Sequence, residues 1–387
     1  MNYPLVAISD FCQTGSGTTP SRTGDGYYGG DIPWIKSGEL REKEILVSEE
    51  FVTDKALRET SLKIVPAGAI LVAMYGATVG RVGLLGIDAT TNQAVCHIVP
   101  DKDKADLRYM FHALQHKAEE LISRGVGGAQ PNISQGVIKE TRIPLPPIGE
   151  QQRIAAILDQ ADSLRRLRQR AIDRLNSLGQ AIFYEMFEGS DRYRGIPLEN
   201  VADLRRGPFG GALKKEIFVD SGHKVYEQSH AINKTHSIGS YFIDDFKFKE
   251  MSAFAVQEND LIVSCSGTLG RVYRIPSDAP SGVINQALLR IRPNENIVIP
   301  EYLEHFLESQ RMQVFLNGFS RGTGLQNFPP MSDVREISVP VPPKQEQLDF
   351  LGRMQLINRQ RAVLDKSTRG LARLFFSLQH RAFLGEI

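Results

Sequence analysis

Cysteine is scarce in this 387-residue chain: Cys12, Cys96 and Cys265 stand far apart, with no CxxC pair. That excludes a disulfide framework and a cysteine-built zinc site, and it suits a reducing cytoplasm. Long apolar runs are missing. The most apolar stretch, Ile70 to Tyr75, is far too short to span a bilayer and reads as a buried strand. Met1 to Asp10 has neither a basic n-region nor an apolar core, so no signal peptide is expected. An excess of one charge is absent too, because 46 Lys and Arg meet 45 Asp and Glu for a formal net charge of +1. A nucleic-acid binder of this composition must concentrate its positive charge locally.

Catalytic signatures are also lacking. There is no GxxxxGK[ST] phosphate loop; Lys36-Ser37 lacks the preceding glycine. Asn327-Phe328-Pro329-Pro330 has the letters of an amine-holding Asn-Pro-Pro-aromatic motif in the wrong order. His112 and His116 lie four apart on an expected helix without the glutamate of a metalloprotease helix, and read as a solvated face. Gly15-Ser16-Gly17 and Gly125 to Gly128 lack the strand-then-helix context of a dinucleotide fingerprint and read as loops. No catalytic and no metal-ligating residues are expected.

What is present is a tandem repeat. Pro4-Leu5 and Ile8 to Phe11 match Pro197-Leu198 and Val201 to Leu204 at an offset of 193. Ile70-Leu71-Val72 with Gly76 matches Leu261-Ile262-Val263 with Gly267. Thr78 to Val82 matches Thr268 to Val272, and Asn92-Gln93-Ala94 matches Asn285-Gln286-Ala287. Asn132 falls on Asn327, and Ile143 to Pro147 on Val339 to Pro343, followed by Glu150-Gln151 on Glu346-Gln347. Order is kept throughout, which composition bias would not do.

Each unit mixes short β-type runs and Gly/Ser/Thr-rich turns with helices, Leu107 to Ser123 and Pro300 to Leu316 being matched ones. A proline signal then precedes a long proline-free run, Glu150 to Glu188 and Glu346 to Gly385. In both runs apolar residues recur at three and four along one narrow stripe, which asks for a partner helix. Two like units imply a pseudo-two-fold axis and antiparallel helices, with a domain at each end of a rod of ~50 Å at 1.5 Å per residue. The expected class is α+β: two mixed α/β domains held apart by a coiled coil. The expected division is 1–148, 149–188 (central helix), 189–343 and 344–387 (C-terminal helix).

The remaining candidates are polar and basic loop residues. In the first unit these are Thr19, Ser21, Arg22, Tyr27, Lys36, Arg81, Arg124, Gln130 and Asn132. In the second they are Arg205, Arg206, Lys214, Lys215, Gln228, His230, Arg271, Arg321, Gln326 and Asn327. Arg and Lys neutralise phosphates, while Arg, Gln and Asn offer donor–acceptor pairs that read base edges.

These residues resemble the specificity subunit of a Type I restriction-modification system over essentially the whole length. The resemblance is carried by Thr19-Pro20-Ser21, Tyr28 to Ile35 (YGGDIPWI), Thr78 to Arg81, Asn92 to Ala94 and Pro144 to Ile154 (PLPPIGEQQRI). It implies two target-recognition domains, each reading half of a split site in double-stranded DNA. The long helices would be spacers and docking surfaces for two methyltransferase subunits, through which restriction/motor subunits join. Catalysis would belong to those partners, as would S-adenosylmethionine, ATP and Mg, with no cofactor in this chain and no membrane. The second unit departs in Pro208 to Leu213 and has Lys344-Gln345 where the first has Ile148-Gly149, so the two halves should differ in what they read; the C-terminal helix also opens KQEQLDFLG in place of EQQRIAAIL, so the two helices should not dock the methyltransferase alike. The other readings are a specificity subunit for a fused restriction-methyltransferase and a coiled-coil protein-binding scaffold.

Overall fold

A computed structural model describes residues 3–387 apart from 24–25, 42–43, 126–131, 190–191, 194, 210 and 319–327. The chain forms two compact units: Met1–Gln169 with Lys366–Ile387, and Arg170–Asp365. In the first unit the strands are β1 (Leu5–Ala7), β2 (Cys12–Ser16), β3 (Tyr28–Ile35), β4 (Glu44–Ile45), β5 (Phe51–Val52), β6 (Ile70–Ala73), β7 (Val82–Leu85), β8 (Thr90–Thr91), β9 (Val95–Pro100) and β10 (Arg142–Pro144). In the second they are β11 (Gly195–Pro197), β12 (Ala202–Arg206), β13 (His223–Tyr226), β14 (Phe242–Ile243), β15 (Leu261–Ser264), β16 (Val272–Arg274), β17 (Gly282–Ile284), β18 (Leu288–Pro293) and β19 (Ser338–Pro340).

The main sheet of the first unit has the order β2-β9-β6-β7-β4, and that of the second β12-β18-β15-β16. Strand β6 is buried on all four residues because both faces of its sheet are covered. Successive side chains point to opposite faces. Ile70 and Val72 therefore pack with Tyr109, Leu114 and Ile154 beneath the helices. Leu71 and Ala73 pack with Ile35 and Val95 on the other side, where the small sheet β5-β3-β8 lies. In the second unit Leu261 and Val263 join the helix side with Tyr302 and Phe350, while Ile262 joins Tyr226 and Ile284 beside the sheet β14-β13-β17.

The strand pairings confirm the duplication and shift its first segment. Leu5 pairs with Pro144 in β1–β10, and Gly195 with Pro340 in β11–β19. Cys12 opposes Pro100, and Ala202 opposes Pro293. Because Pro144 and Pro340 are repeat mates, as are Pro100 and Pro293, Leu5 corresponds to Gly195 and Cys12 to Ala202. The offset there is 190 rather than 193. Ile8 thus matches Leu198, both buried, and donates its amide to Thr141 as Leu198 does to Ile337. The short identities at 193 were chance; the backbone ladder decides.

The expected helix over Leu107 to Ser123 is broken at Lys117 into Leu107–His116 and Ala118–Ser123, and its mate into Pro300–Leu307 and Gln310–Gly318. The two long helices run Ile148–Phe183, with a π-helical turn Tyr184–Glu188, and Lys344–Phe383. Inside the second unit, Phe183 meets Phe350 at 5.3 Å, and Asn176 Oδ1 accepts from Arg361 at 3.4 Å. Numbers fall on one helix as they rise on the other, so the segments are antiparallel. In the first unit Arg165 lies 5.6 Å over the Phe375 ring, and Phe383 meets Tyr109 at 5.4 Å.

The proline–EQ junction has a physical purpose. Gln151, fully buried, donates to the carbonyls of Pro146 (2.8 Å) and Lys104 (2.9 Å) and accepts from the Asp106 amide (2.8 Å). Gln347 repeats this with the Pro342 and Ile297 carbonyls (2.9 and 3.2 Å) and the Ile299 amide (2.8 Å). One amide side chain thus satisfies backbone groups at the start of two helices. The glutamate before it accepts from a tyrosine, Tyr3 on Glu150 and Tyr193 on Glu346.

His112 corrects the reading of a solvated histidine face. It is fully buried, its Nε2 lies 2.8 Å from Asp159 Oδ1, and its backbone carbonyl accepts from Gln379 (3.1 Å). Arg108 grips the same carboxylate, Nε to Oδ2 at 2.9 Å and Nη2 to Oδ1 at 2.5 Å. Burial raises the Asp159 pKa, but the bonds from His112 and Arg108 outweigh it and bring the pKa down to about 2.

Candidate nucleic-acid interface

One end of each main sheet gathers the polar loops. In the first unit Ser16, Cys96, Val72 and Val82 form a row across β2, β9, β6 and β7. Gly17 to Thr19, the turn Asn92 to Ala94 and the turn Met74 to Arg81 all leave from that row. In the second unit the row is Arg206, Leu289, Val263 and Val272, from which Gly207 to Phe209, Asn285 to Ala287 and Cys265 to Arg271 emerge. Three strand spacings make each end roughly 14 Å wide.

The loops are held by matching backbone bonds. Met74 takes the Ala94 carbonyl, as Cys265 takes that of Ala287, at 2.7 and 2.8 Å. Asn92 takes the Ile35 carbonyl, and Asn285 that of Tyr226. Gly17 and Gly207 donate to Val95 and Leu288, and any Cβ there would strike the Asn92 or Asn285 carbonyl. Each hairpin turn uses two glycines in the left-handed region, Gly76 and Gly80 or Gly267 and Gly270. The residue after the second is Arg81 or Arg271. Both arginines are exposed, and neither has an ion-pair or hydrogen-bond partner for its guanidinium among the described residues.

The other candidates divide. Thr19 is exposed on the strand-exit loop. Asn132 is exposed beside the turn, because Ile133 donates to the Met74 carbonyl, and Arg124 is loosely tied to Glu140 at 3.5 Å. Ser21, Arg22 and Tyr27 lie beside the small sheet: Ser21 bonds Thr23, Arg22 pairs with Glu50 at 2.8 Å over the Tyr28 ring, and Tyr27 donates to Glu59 at 3.1 Å. Lys36 is held by Glu50 (2.9 Å) and Glu49 (3.3 Å), and its bond to Glu50 raises its pKa. Arg205 is exposed on β12, and Arg206 stacks over Phe328 at 5.1 Å. Lys214 and Lys215 are exposed on the following loop. Gln228 approaches the Gly267 turn, with its buried Oε1 lacking a partner among the described residues. Gln130, Arg321, Gln326 and Asn327 lie outside the described residues.

His230 does not fit the site. It is fully buried, its Nδ1 accepts from the Glu227 amide (2.9 Å), and its Nε2 donates to the Ile238 carbonyl (2.9 Å). Both ring nitrogens are used within the chain, so the ring organises a turn instead of meeting a ligand. Sequence reasoning passed over Tyr75 and Phe209, two exposed aromatics on these loops, at 40% and 96% exposure. Neither belongs to a polar motif, and only the fold brings them to the sheet ends.

No helix among the described residues is long and apolar enough to cross a membrane, and no cluster among them could hold a metal. The pattern of the family described as Type I restriction modification DNA specificity domain matches residues 2–177 and again 198–356. The chain is 26% identical over 289 residues to the Type I restriction enzyme MjaIX specificity subunit of Methanocaldococcus jannaschii, covering 69% of this chain and 66% of that one. It is 24% identical over 336 residues to the EcoBI specificity subunit of Escherichia coli, covering 77% and 69%. The chain thus spans just under two thirds of the length of the first relative. Its fold is similar to that of a chain from a structure of a type I R-M system, with a TM-score of 0.63 at 17% identity, covering 100% of this chain and 98% of the other. With two copies of the family's pattern over most of its length, this chain belongs to the Type I restriction-modification DNA specificity family.

Proposed function

We propose that this chain is the non-catalytic DNA-recognition subunit of a Type I restriction-modification complex. Each unit reads one half of a bipartite duplex site from its loop-bearing sheet end. The long helices dock two methyltransferase subunits, and through them restriction/motor subunits. S-adenosylmethionine, ATP and Mg act in those partners.

The observation that carries the reading is the pair of equivalent arginines, Arg81 and Arg271, without a partner among the described residues, on a duplicated frame. Shared turns set the same guanidinium at the same sheet end, where it can neutralise a phosphate or reach a base edge. The neighbouring loops differ, Thr18-Thr19-Pro20 in one unit and Pro208-Phe209-Gly210 in the other, which suits an asymmetric site. The test is footprinting of the chain with its cognate methyltransferase on the site found by sequencing the host's methylated bases. Two protected half-sites around an unread spacer are expected. A single continuous footprint, or affinity independent of salt, overturns the reading.

A further inference from the structure

Phe209 is 96% exposed, an unusual state for so large an apolar ring. It is not loose chain. Pro208 before it is buried, Gly207 is pinned against the Asn285 backbone, and the Phe209 carbonyl accepts from the Ala212 amide at 3.1 Å. From Leu204 to Lys215 the sequence holds four basic residues and no acidic one. The ring is therefore held out on a segment suited to a polyanion. A phenyl ring has no hydrogen-bonding group, so it can gain from nucleic acid only by stacking or apolar contact.

The first unit has the reverse arrangement. With Gly17 matching Gly207, Phe209 falls on Thr19, which is exposed but small. With Met74 matching Cys265, Tyr75 falls on Ser266. Tyr75 is 40% exposed, and its hydroxyl has no partner among the described residues. So each sheet end carries one exposed aromatic as well as an arginine with no partner among the described residues, the aromatic supplied by the hairpin turn in one unit and by the strand-exit loop in the other.

We propose that Tyr75 and Phe209 are base-stacking elements, each unstacking a base in its own half-site from its neighbour, and that their different origins place the contact at different positions of the two halves. This rests on the proposed DNA-reading function. Its consequence is a contact that lowers affinity when lost but does not change the salt dependence, because no charge is involved.

The test uses the full chain with its methyltransferase and duplexes carrying 2-aminopurine at each footprint position in turn. The wild type should brighten at one position per half-site. Phe209→Ala should abolish the second signal and weaken binding about ten-fold, from one stacked base. Phe209→Trp should keep both signal and affinity, and Tyr75→Ala should do the same damage to the first half only. The salt slope should stay at the wild-type value in each. A wild-type complex that protects two half-sites yet brightens nowhere, or a Phe209→Ala complex that binds as tightly as wild type, overturns this inference alone. Failure to protect two half-sites overturns it together with the proposed function.

Discussion

A guanidinium can act on DNA only where it is not already committed to a carboxylate. Arg22 and Lys36 share Glu50, so both are already committed to a carboxylate of the chain itself. Arg81 and Arg271 have no such partner among the described residues. Arg271→Ala is expected to make the slope of log affinity against log salt shallower by about 0.9 and to weaken protection of the second half-site only, whereas Arg22→Ala should leave the slope near wild type. Titrating binding between low and moderate salt checks both. Asp159 gives a prediction of a different kind. Its pKa is about 2 in the folded chain, below the ordinary aspartate value, so its stabilisation is present above pH ~4 and lost as pH falls toward 2. With the carboxylate about a third exposed, Asp159→Asn should cost roughly 1–2 kcal/mol at pH 7 and flatten acid unfolding over that window. Single residues were unevenly legible in the sequence. Arg81 and Arg271 drew notice because glycine and arginine recur together in both repeats, a recurrence that by itself speaks for a shared fold more than for specificity. His230 misled, since a histidine in a polar stretch looks the same whether its nitrogens face solvent or the chain's own carbonyls. His112 misled for a related reason: the aspartate that holds it is 47 residues away.

Elements were more legible than residues. The long helices followed from an apolar stripe at three-to-four spacing, and β6 from a short run of apolar residues, because both signals are local. The register of β1 and β2 against their mates was not local. It rests on pairing with β10 and β9, about 140 and 90 residues downstream, and the short sequence identities pointed three residues astray. The Pro-Pro-x-x-Glu-Gln junction was visible as a motif, but its reason was not. Gln151 and Gln347 each satisfy three backbone groups at the seam between helix and domain. Gln347→Ala should therefore cost about 3 kcal/mol, since an alanine leaves buried donors and acceptors unmet. Gln347→Glu should not restore it, because a carboxylate cannot donate to the Pro342 and Ile297 carbonyls. Denaturant unfolding followed by a probe in the second unit gives the measurement, and wild-type stability in Gln347→Ala would refute the role. Gly207→Ala tests the sheet end in the same way. Its Cβ would meet backbone, which cannot swing aside, so recognition of the second half-site should fail while the first half-site remains protected.

At the scale of the whole chain, the units do not follow sequence order. The first unit takes its last 22 residues, Lys366–Ile387, from the far end of the chain. Phe375, Ala382 and Phe383 are buried there in one core with Tyr109, Ile154 and Leu158. The sequence suggested antiparallel helices, but it could not say that the C-terminal residues complete the core of the N-terminal unit, since nothing in a stripe of leucines names its partner. This arrangement has a testable consequence. Deleting residues 366–387 removes apolar side chains from the first unit only, and the loss of two phenylalanines from a packed core costs several kcal/mol. Hydrogen exchange should then show lost protection in Leu107–His116 and the first turns of the central helix, at the opposite end of the sequence from the cut. Protection of Pro300–Leu307 and β15 should persist, because the second unit keeps its own core of Phe183, Tyr302 and Phe350. If the deletion instead loosened the second unit first, the C-terminal segment would have been assigned to the wrong core. A footprint reduced to the second half-site would carry the same division of the chain through to DNA.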